Sequence, residues 1–242
     1  MVLFTPAKDI ADLPGKVIFI TGGKNGLGRE AALQRAHHNP ASICIGSRSK
    51  EKVNAAIAAI VAAVPKARLV LIQIDLESLS SVQAAAREFL ASSSRLDILM
   101  NNTGIMAVPP QLSVDGYEIQ FATNHLGHAL LTRLLLPTML KSACQPDSDV
   151  RVITHLRSPV IPRTALARYS RSKLANILYS KELAHRYPEI KAVAIHPGTA
   201  RTGLNSTMGD TFLLAKIVVP IFNLINAVPI KQATLNQLWA CY

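Results

Sequence analysis

The sequence predicts one doubly wound α/β domain: a parallel sheet with helices packed on both faces. Three observations predict it. Short β-rich runs alternate strictly with longer runs of helical periodicity, which requires crossovers between parallel strands, and such crossovers are right-handed. Most of the β-rich runs are continuously apolar, as strands covered on both faces are. A glycine-rich loop stands between the first strand and the first helix, where doubly wound sheets hold phosphate-bearing ligands. The 242 residues are 49% hydrophobic and show no repeat, low-complexity tract or linker-like shift, so residues 1–242 read as a single domain with a full core.

Taken in order, the strands are expected at Val17–Ile20, Ser42–Gly46, Leu69–Ile74, Leu96–Met100, Val150–His155 and Ile190–Ile195. Between them, helices are expected at Leu27–His37, Lys50–Val64, Ser78–Ser93, Asp115–Leu140 and Leu166–Tyr187. Ser78 is the natural N-cap of the third helix. In the fifth, Leu166, Tyr169, Leu174, Ile177 and Leu178 recur at helical intervals.

Three cysteines, Cys44, Cys144 and Cys241, are far apart and form no Cys-x-x-Cys pair. They argue against a disulfide framework or a zinc site and suit a reducing, cytoplasmic setting. Met1 to Gly15 carries Lys8, Asp9 and Asp12 without a long apolar run, so no secretory signal is read there. The net charge of +11 raises the question of nucleic acid. The basic residues are scattered, however, and few aromatics lie among them to stack bases, so no nucleic-acid partner is expected. A small ligand bearing phosphate explains the basic surface equally well.

Two short stretches carry chemistry. "TGGKNGLG", Thr21 to Gly28, lets the backbone turn tightly at Gly22, Gly26 and Gly28 and approach a pyrophosphate at the helix N-terminus. "RYSRSK" sets Tyr169 and Lys173 four positions apart, on one helix face. A charged lysine there favours the phenolate and tunes the tyrosine for proton transfer near neutral pH. From these residues alone, a packed tyrosine beside a solvated lysine fits as well.

The spacing Gly-x-x-x-Gly-x-Gly with a threonine in front resembles the short-chain dehydrogenase/reductase family. Further stretches resemble it at matching places: "NNTG" (Asn101–Gly104) after the fourth strand, Asn124 in "ATNHLGH", Tyr169-x-x-x-Lys173, and "HPGTART" (His196–Thr202) after the sixth strand. The likeness runs over about residues 13–203, and "SKLANILYSKELAHRYPEI" is similar to the retinol-dehydrogenase-like branch, especially its fungal members. The resemblance implies a Rossmann-like fold and an oxidoreductase interconverting a ketone or aldehyde with an alcohol on an apolar small molecule, with fungal natural-product biosynthesis as a setting. It implies that Tyr169 gives the proton to the carbonyl oxygen and that Lys173 lowers the tyrosine's pKa and bonds the nicotinamide ribose. Asn124 would hold a relay water beside Lys173. A cofactor would lie against Gly22, Lys24, Gly26, Leu27, Gly28, Arg48, Asp75, Asn102, Gly104, Tyr169, Lys173, Pro197, Gly198 and Thr202, with Asp75 at the adenine. Charge selects which cofactor: "IGSRSK" ends the second strand with Arg48, and with Ser47 or Lys50 beside it, in place of an acid, and Lys24 adds a cation, which favours NADP(H) over NAD(H).

Two departures stand out. Where the family reads Ser-Ser after the fifth strand, this sequence has Leu156 and Arg157, with Ser158 one place further and Pro159 behind it. Ser158 is the residual candidate for the substrate-oxygen donor, and losing that donor would weaken turnover. A catalytically impaired nucleotide-binding protein, acting as sensor or partner subunit, is therefore the rival reading. The family's last strand, beyond "ATLNQLWA", is expected to be missing. Residues 204–230, with "FLLAKIVVPIFNLINAV", read as a substrate lid in preference to a helix lying on a membrane surface. The resemblance also suggests a homodimer paired through the helices that carry Asn124 and Tyr169.

Overall fold

Six β-rich runs align as parallel neighbours, joined by crossovers whose helices cover both faces of the sheet. The computed structural model describes residues 4–155, 165–198 and 228–240. Within them the strands are β1 Val17–Thr21, β2 Ser42–Ser47, β3 Leu69–Gln73, β4 Ile98–Asn101, β5 Val150–His155 and β6 Ile190–Ile195. They form one sheet in the order β3-β2-β1-β4-β5-β6, and every pairing is parallel. The helices are α1 Pro6–Asp9, α2 Gly26–Ala36, α3 Lys50–Ala63, α4 Leu79–Ser92, α5 Ile119–Phe121, α6 Gly127–Ala143, α7 Ala165–Arg186 and α8 Ile230–Trp239.

Side chains alternate across the sheet into two cores. Phe19, Cys44, Ile72, Leu99 and Val152 pack with Val82, Phe89, Leu131 and Leu135 of α4 and α6. Ile18, Ile20, Ile45, Met100 and Ile153 face the other way, toward Ala31, Ala32, Val53 and Ile60 of α2 and α3. β1, β4 and β5 are buried at every position, whereas β3 and β6, the edges of the described sheet, are partly exposed. Burial on both faces therefore holds for the central strands and relaxes at the edges.

The strand order reverses between β1 and β4, which opens a crevice at their carboxyl ends. Ile20 is in register with Met100, so the loops that follow Thr21 and Asn101 meet there.

Most boundaries fall where the sequence places them, and two do not. β4 starts at Ile98 rather than Leu96, because the Asp97 carboxylate accepts from Val17 N (2.8 Å) before the ladder begins. The helix expected over Asp115–Leu140 begins only at Ile119. Before it, Gly116 turns at φ +81°, Leu112 bridges Glu118, and the Glu118 carboxylate caps α5 by accepting from Phe121 N at 2.8 Å. The helix then widens into a π-turn at Ala122–Leu126 before continuing as α6 to Ala143. Of the expected lid, residues 204–227 lie outside the described residues, and Ile230 already begins α8. Among the described residues no helix is long and apolar enough to cross a membrane.

Candidate active site

The crevice is a cavity of about 620 Å³. Its lining brings together Gly22, Lys24, Gly26, Leu27, Gly28, Arg48, Asp75, Asn102, Gly104, Tyr169, Lys173 and Pro197, twelve positions drawn from six segments of the chain. Gly198, the residue after Pro197, is not among the lining residues; it stands at φ +76° with its N–H bonded to His196 Nδ1 at 2.9 Å. Ser158 and Thr202 lie outside the described residues.

The glycine loop is shaped as a cradle. Gly22 sits at φ +75°, a conformation that L side chains rarely adopt. A Cβ on Gly28 would stand 2.5 Å from Asn102 Nδ2 and 2.7 Å from Gly22 O. Asn102 Nδ2 donates to Thr21 O at 2.7 Å, tying the loop after β4 to the loop after β1. The first turn of α2 carries no acid, and the side chain of its N-cap, Asn25, makes no capping hydrogen bond. By contrast, Ser49 caps α3 and Ser78 caps α4. The amides at the start of α2 are thus left for an anion, and the shape fits the pyrophosphate of a dinucleotide.

Tyr169 and Lys173 occupy successive turns of α7 and both are buried, Tyr169 against Met106, Ala107 and Ala165. The Lys173 ammonium stands 5.5 Å from the centre of the Tyr169 ring and donates to His155 O at 3.1 Å. Burial lowers its pKa to about 8, so it keeps most of its charge at pH 7. The solvated lysine that the residues alone allowed is not what the fold produces. The start of α7 is pinned by Gln120, which donates to Ala165 O at 3.0 Å and accepts from Ala107 N at 2.8 Å.

Asn124 stands in the π-turn, fully buried, behind Gly104. Its side chain accepts from Ile105 N (2.8 Å) and donates to Ile105 O (3.0 Å) and Ser172 Oγ (3.0 Å). Its carbonyl accepts from Asn176 Nδ2 at 3.1 Å and from His128 Nδ1 at 3.1 Å. Because a carbonyl only accepts, His128 carries its proton on Nδ1. Its Nε2, 2.9 Å from Thr21 Oγ1, then accepts from that hydroxyl. Thr21 Oγ1 in turn accepts from Asn102 N and Thr103 N.

Sequence reading missed Thr21, His128, His155, Asn176, Lys52 and Glu77. His128 follows Asn124 by one helical turn and Asn176 follows Lys173 likewise, a spacing that could have signalled both. Glu77 corrects the charge argument. The second strand does end without an acid, but the Glu77 carboxylate arrives from the β3–α4 loop and pairs with Arg48 at 2.6 Å. Ser78 caps α4 as expected, and the Asp75 carboxylate accepts from Glu77 N at 3.0 Å and shapes that loop.

These observations meet a consistent set of relatives. The sequence matches the family described as short chain dehydrogenase over residues 16–211. An uncharacterized oxidoreductase of Schizosaccharomyces pombe is 38% identical over 253 aligned positions, covering 96% of this chain and 74% of its own. Mouse retinol dehydrogenase 12 is 34% identical, covering 87% of this chain and 69% of its own. Among solved structures, a short chain dehydrogenase/reductase from Burkholderia phymatum in complex with NAD superposes with a TM-score of 0.78 at 19% identity, over 96% of this chain and 87% of that one. The chain belongs to the short chain dehydrogenase family, as an oxidoreductase of its retinol-dehydrogenase-like branch.

Two predictions follow from this geometry. Burial, reinforced by the nearby Lys173 charge, holds the pKa of both His128 and His155 down at about 3. Their unfolded value is about 6.5. The unfolded chain therefore takes up protons as pH falls through that value while the folded one does not, so stability is lost between pH 6.5 and 3. At pH 5 the loss is about 2 kcal/mol per histidine relative to pH 7. Urea unfolding at the two pH values should show His155→Val losing about 2 kcal/mol less than the wild type. Separately, Gly28→Ala should lower stability by about 2 kcal/mol and remove dinucleotide binding, read by urea unfolding and calorimetry.

Proposed function

We propose that this chain is an NADP(H)-dependent oxidoreductase that interconverts a ketone or aldehyde with an alcohol on an apolar small molecule. The observation that carries the reading is the meeting of Tyr169 and Lys173 with the glycine cradle in one cleft, both side chains buried. NADP(H), when bound, supplies or accepts the hydride. In this reading the Tyr169 hydroxyl passes the proton to or from the substrate oxygen. The Lys173 ammonium lies close enough to favour the phenolate, and its charge persists at pH 7.

Asn124 acts here as a positioning residue, since its side chain and carbonyl engage Ile105, Ser172, Asn176 and His128. Ser158 is assigned the bond to the substrate oxygen, in place of the Ser-Ser pair that Leu156 and Arg157 displace. The same displacement favours a second reading, a nucleotide-binding protein of weak turnover that acts as sensor or partner subunit. A natural-product substrate is proposed on resemblance to fungal family members alone. Leu174 and Leu178, exposed on α7, support the proposed homodimer.

Single-turnover reduction of a panel of apolar ketones by NADPH tests the reading. Tyr169→Phe should lower the rate at least about a hundredfold while changing NADPH affinity less than about threefold. A wild type that binds NADPH yet reduces none of the panel would favour the second reading. A rate that survives in the variant would mean that another group moves the proton.

A further inference from the structure

Leu238 and Ala240, at the end of α8, pack with Ala31, Ala32 and Ala36 in the core on the α2 side of the sheet. Apolar burial explains why the helix docks there, but it does not explain the polar bonds that its last turn makes. Gln237, fully buried, donates through Nε2 to Asn102 Oδ1 at 3.4 Å. Its neighbour Asn236 donates through Nδ2 to His196 O at 3.1 Å. Ala240 O accepts from Arg151 Nη1 at 3.0 Å, which fixes the end of the helix against β5. One helical turn is thereby tied to the loop after β4, to β5 and to the loop after β6, which are neighbours in the sheet.

The bond to Asn102 has a direction. Asn102 Nδ2 lies 2.7 Å from Thr21 O and 3.4 Å from Gly22 O, and carbonyls only accept, so the amide nitrogen must face the glycine loop. Oδ1 then points away from the loop, and among the described residues Gln237 Nε2 is its donor. The same nitrogen stands where the cradle is tightest, 3.1 Å from where a Cβ on Gly22 would lie. An amide turned over would set its oxygen against those two carbonyls, and the loop would have to open. Gln237 thus favours the one orientation in which the cradle closes. On the other side of β5, His196 immediately precedes Pro197, which lines the cleft, and Asn236 holds the carbonyl that leads into it.

We propose that α8 is part of the dinucleotide site. Gln237 is a positioning residue that acts through Asn102 on the glycine cradle, and Asn236 is one that sets the Pro197 segment. This rests on the dinucleotide-binding reading above, though not on the choice between NADP(H) and NAD(H). Neither residue lines the cleft; each fixes a segment that does.

Calorimetric titration of the whole chain with NADPH, paired with hydrogen exchange in the cofactor-free protein, decides the matter without any substrate. Gln237→Met keeps the length of the side chain but carries no donor. It should weaken NADPH binding about fivefold, the worth of one ordinary hydrogen bond, and speed exchange of the Gly22–Gly28 amides. Thr234→Val is the control, because Thr234 is equally buried on α8 but bonds within its own helix, to Ile230 O at 2.7 Å. It should leave NADPH affinity within about twofold of the wild type and glycine-loop exchange unchanged. Asn236→Ala, at an exposed position, should fold normally and weaken binding about threefold. Wild-type affinity in Gln237→Met overturns the proposal, as does a loss that Thr234→Val reproduces in full or one without faster glycine-loop exchange. If Gln237→Met does not fold, Asn236→Ala decides: weakened binding supports the proposal and wild-type binding overturns it. A wild type that prefers NADH refutes the NADP(H) reading separately, and the same variants titrated with NADH still decide. A wild type that binds neither dinucleotide overturns both.

Discussion

One widened helical turn organises this site. Between Ala122 and Leu126 the backbone takes π geometry, and there the Asn124 carbonyl accepts from the side chains of His128 and Asn176 while the Asn124 amide engages the backbone of Ile105. From that point, bonds run in two directions. One passes through Asn176 to the carbonyl of His155, which also accepts from the Lys173 ammonium. The other passes through His128 to Thr21 and on to the amides of Asn102 and Thr103. The proton-transfer pair and the phosphate cradle are thereby held to a common origin, although they lie on opposite sides of the sheet's topological switch.

The electrostatics follow from the same packing. Lys173 is buried without a carboxylate partner among the described residues, so its charge is held by the His155 carbonyl and weakened by desolvation. Its charge in turn helps to keep His128 and His155 neutral, and a neutral His128 is what lets Nδ1 donate while Nε2 accepts. Toward the far end of the cleft the balance differs. Cations outnumber acids there, and the Glu77 carboxylate pairs with one of them, Arg48.

Much of this was legible in the sequence, for reasons that differ by residue. Gly22 and Gly28 were readable because backbone sterics forbid alternatives, and Tyr169 with Lys173 because helical spacing is a local property. Ser78 was readable as a cap for the same reason. What escaped were contacts between segments distant in the chain. Glu77 reaches Arg48 across 29 positions and His128 reaches Thr21 across 107, and no local pattern records either. The π-turn escaped too, because the Asp115–Leu140 run keeps its apolar periodicity through a turn that alters only the hydrogen bonding. The short prelude at Gly116 and Glu118 was hidden inside that same periodicity.

The claim that the π-turn ties both halves of the site together is tested most directly by hydrogen exchange in Asn124→Ala. Amides of residues 102–107 and those of 169–176 are separated by more than sixty positions but share Asn124 as their link. Exchange should accelerate in both segments together, while β1 and β2 keep wild-type protection. Acceleration confined to the π-turn itself, with the Tyr169 segment and the loop after β4 unchanged, would contradict it.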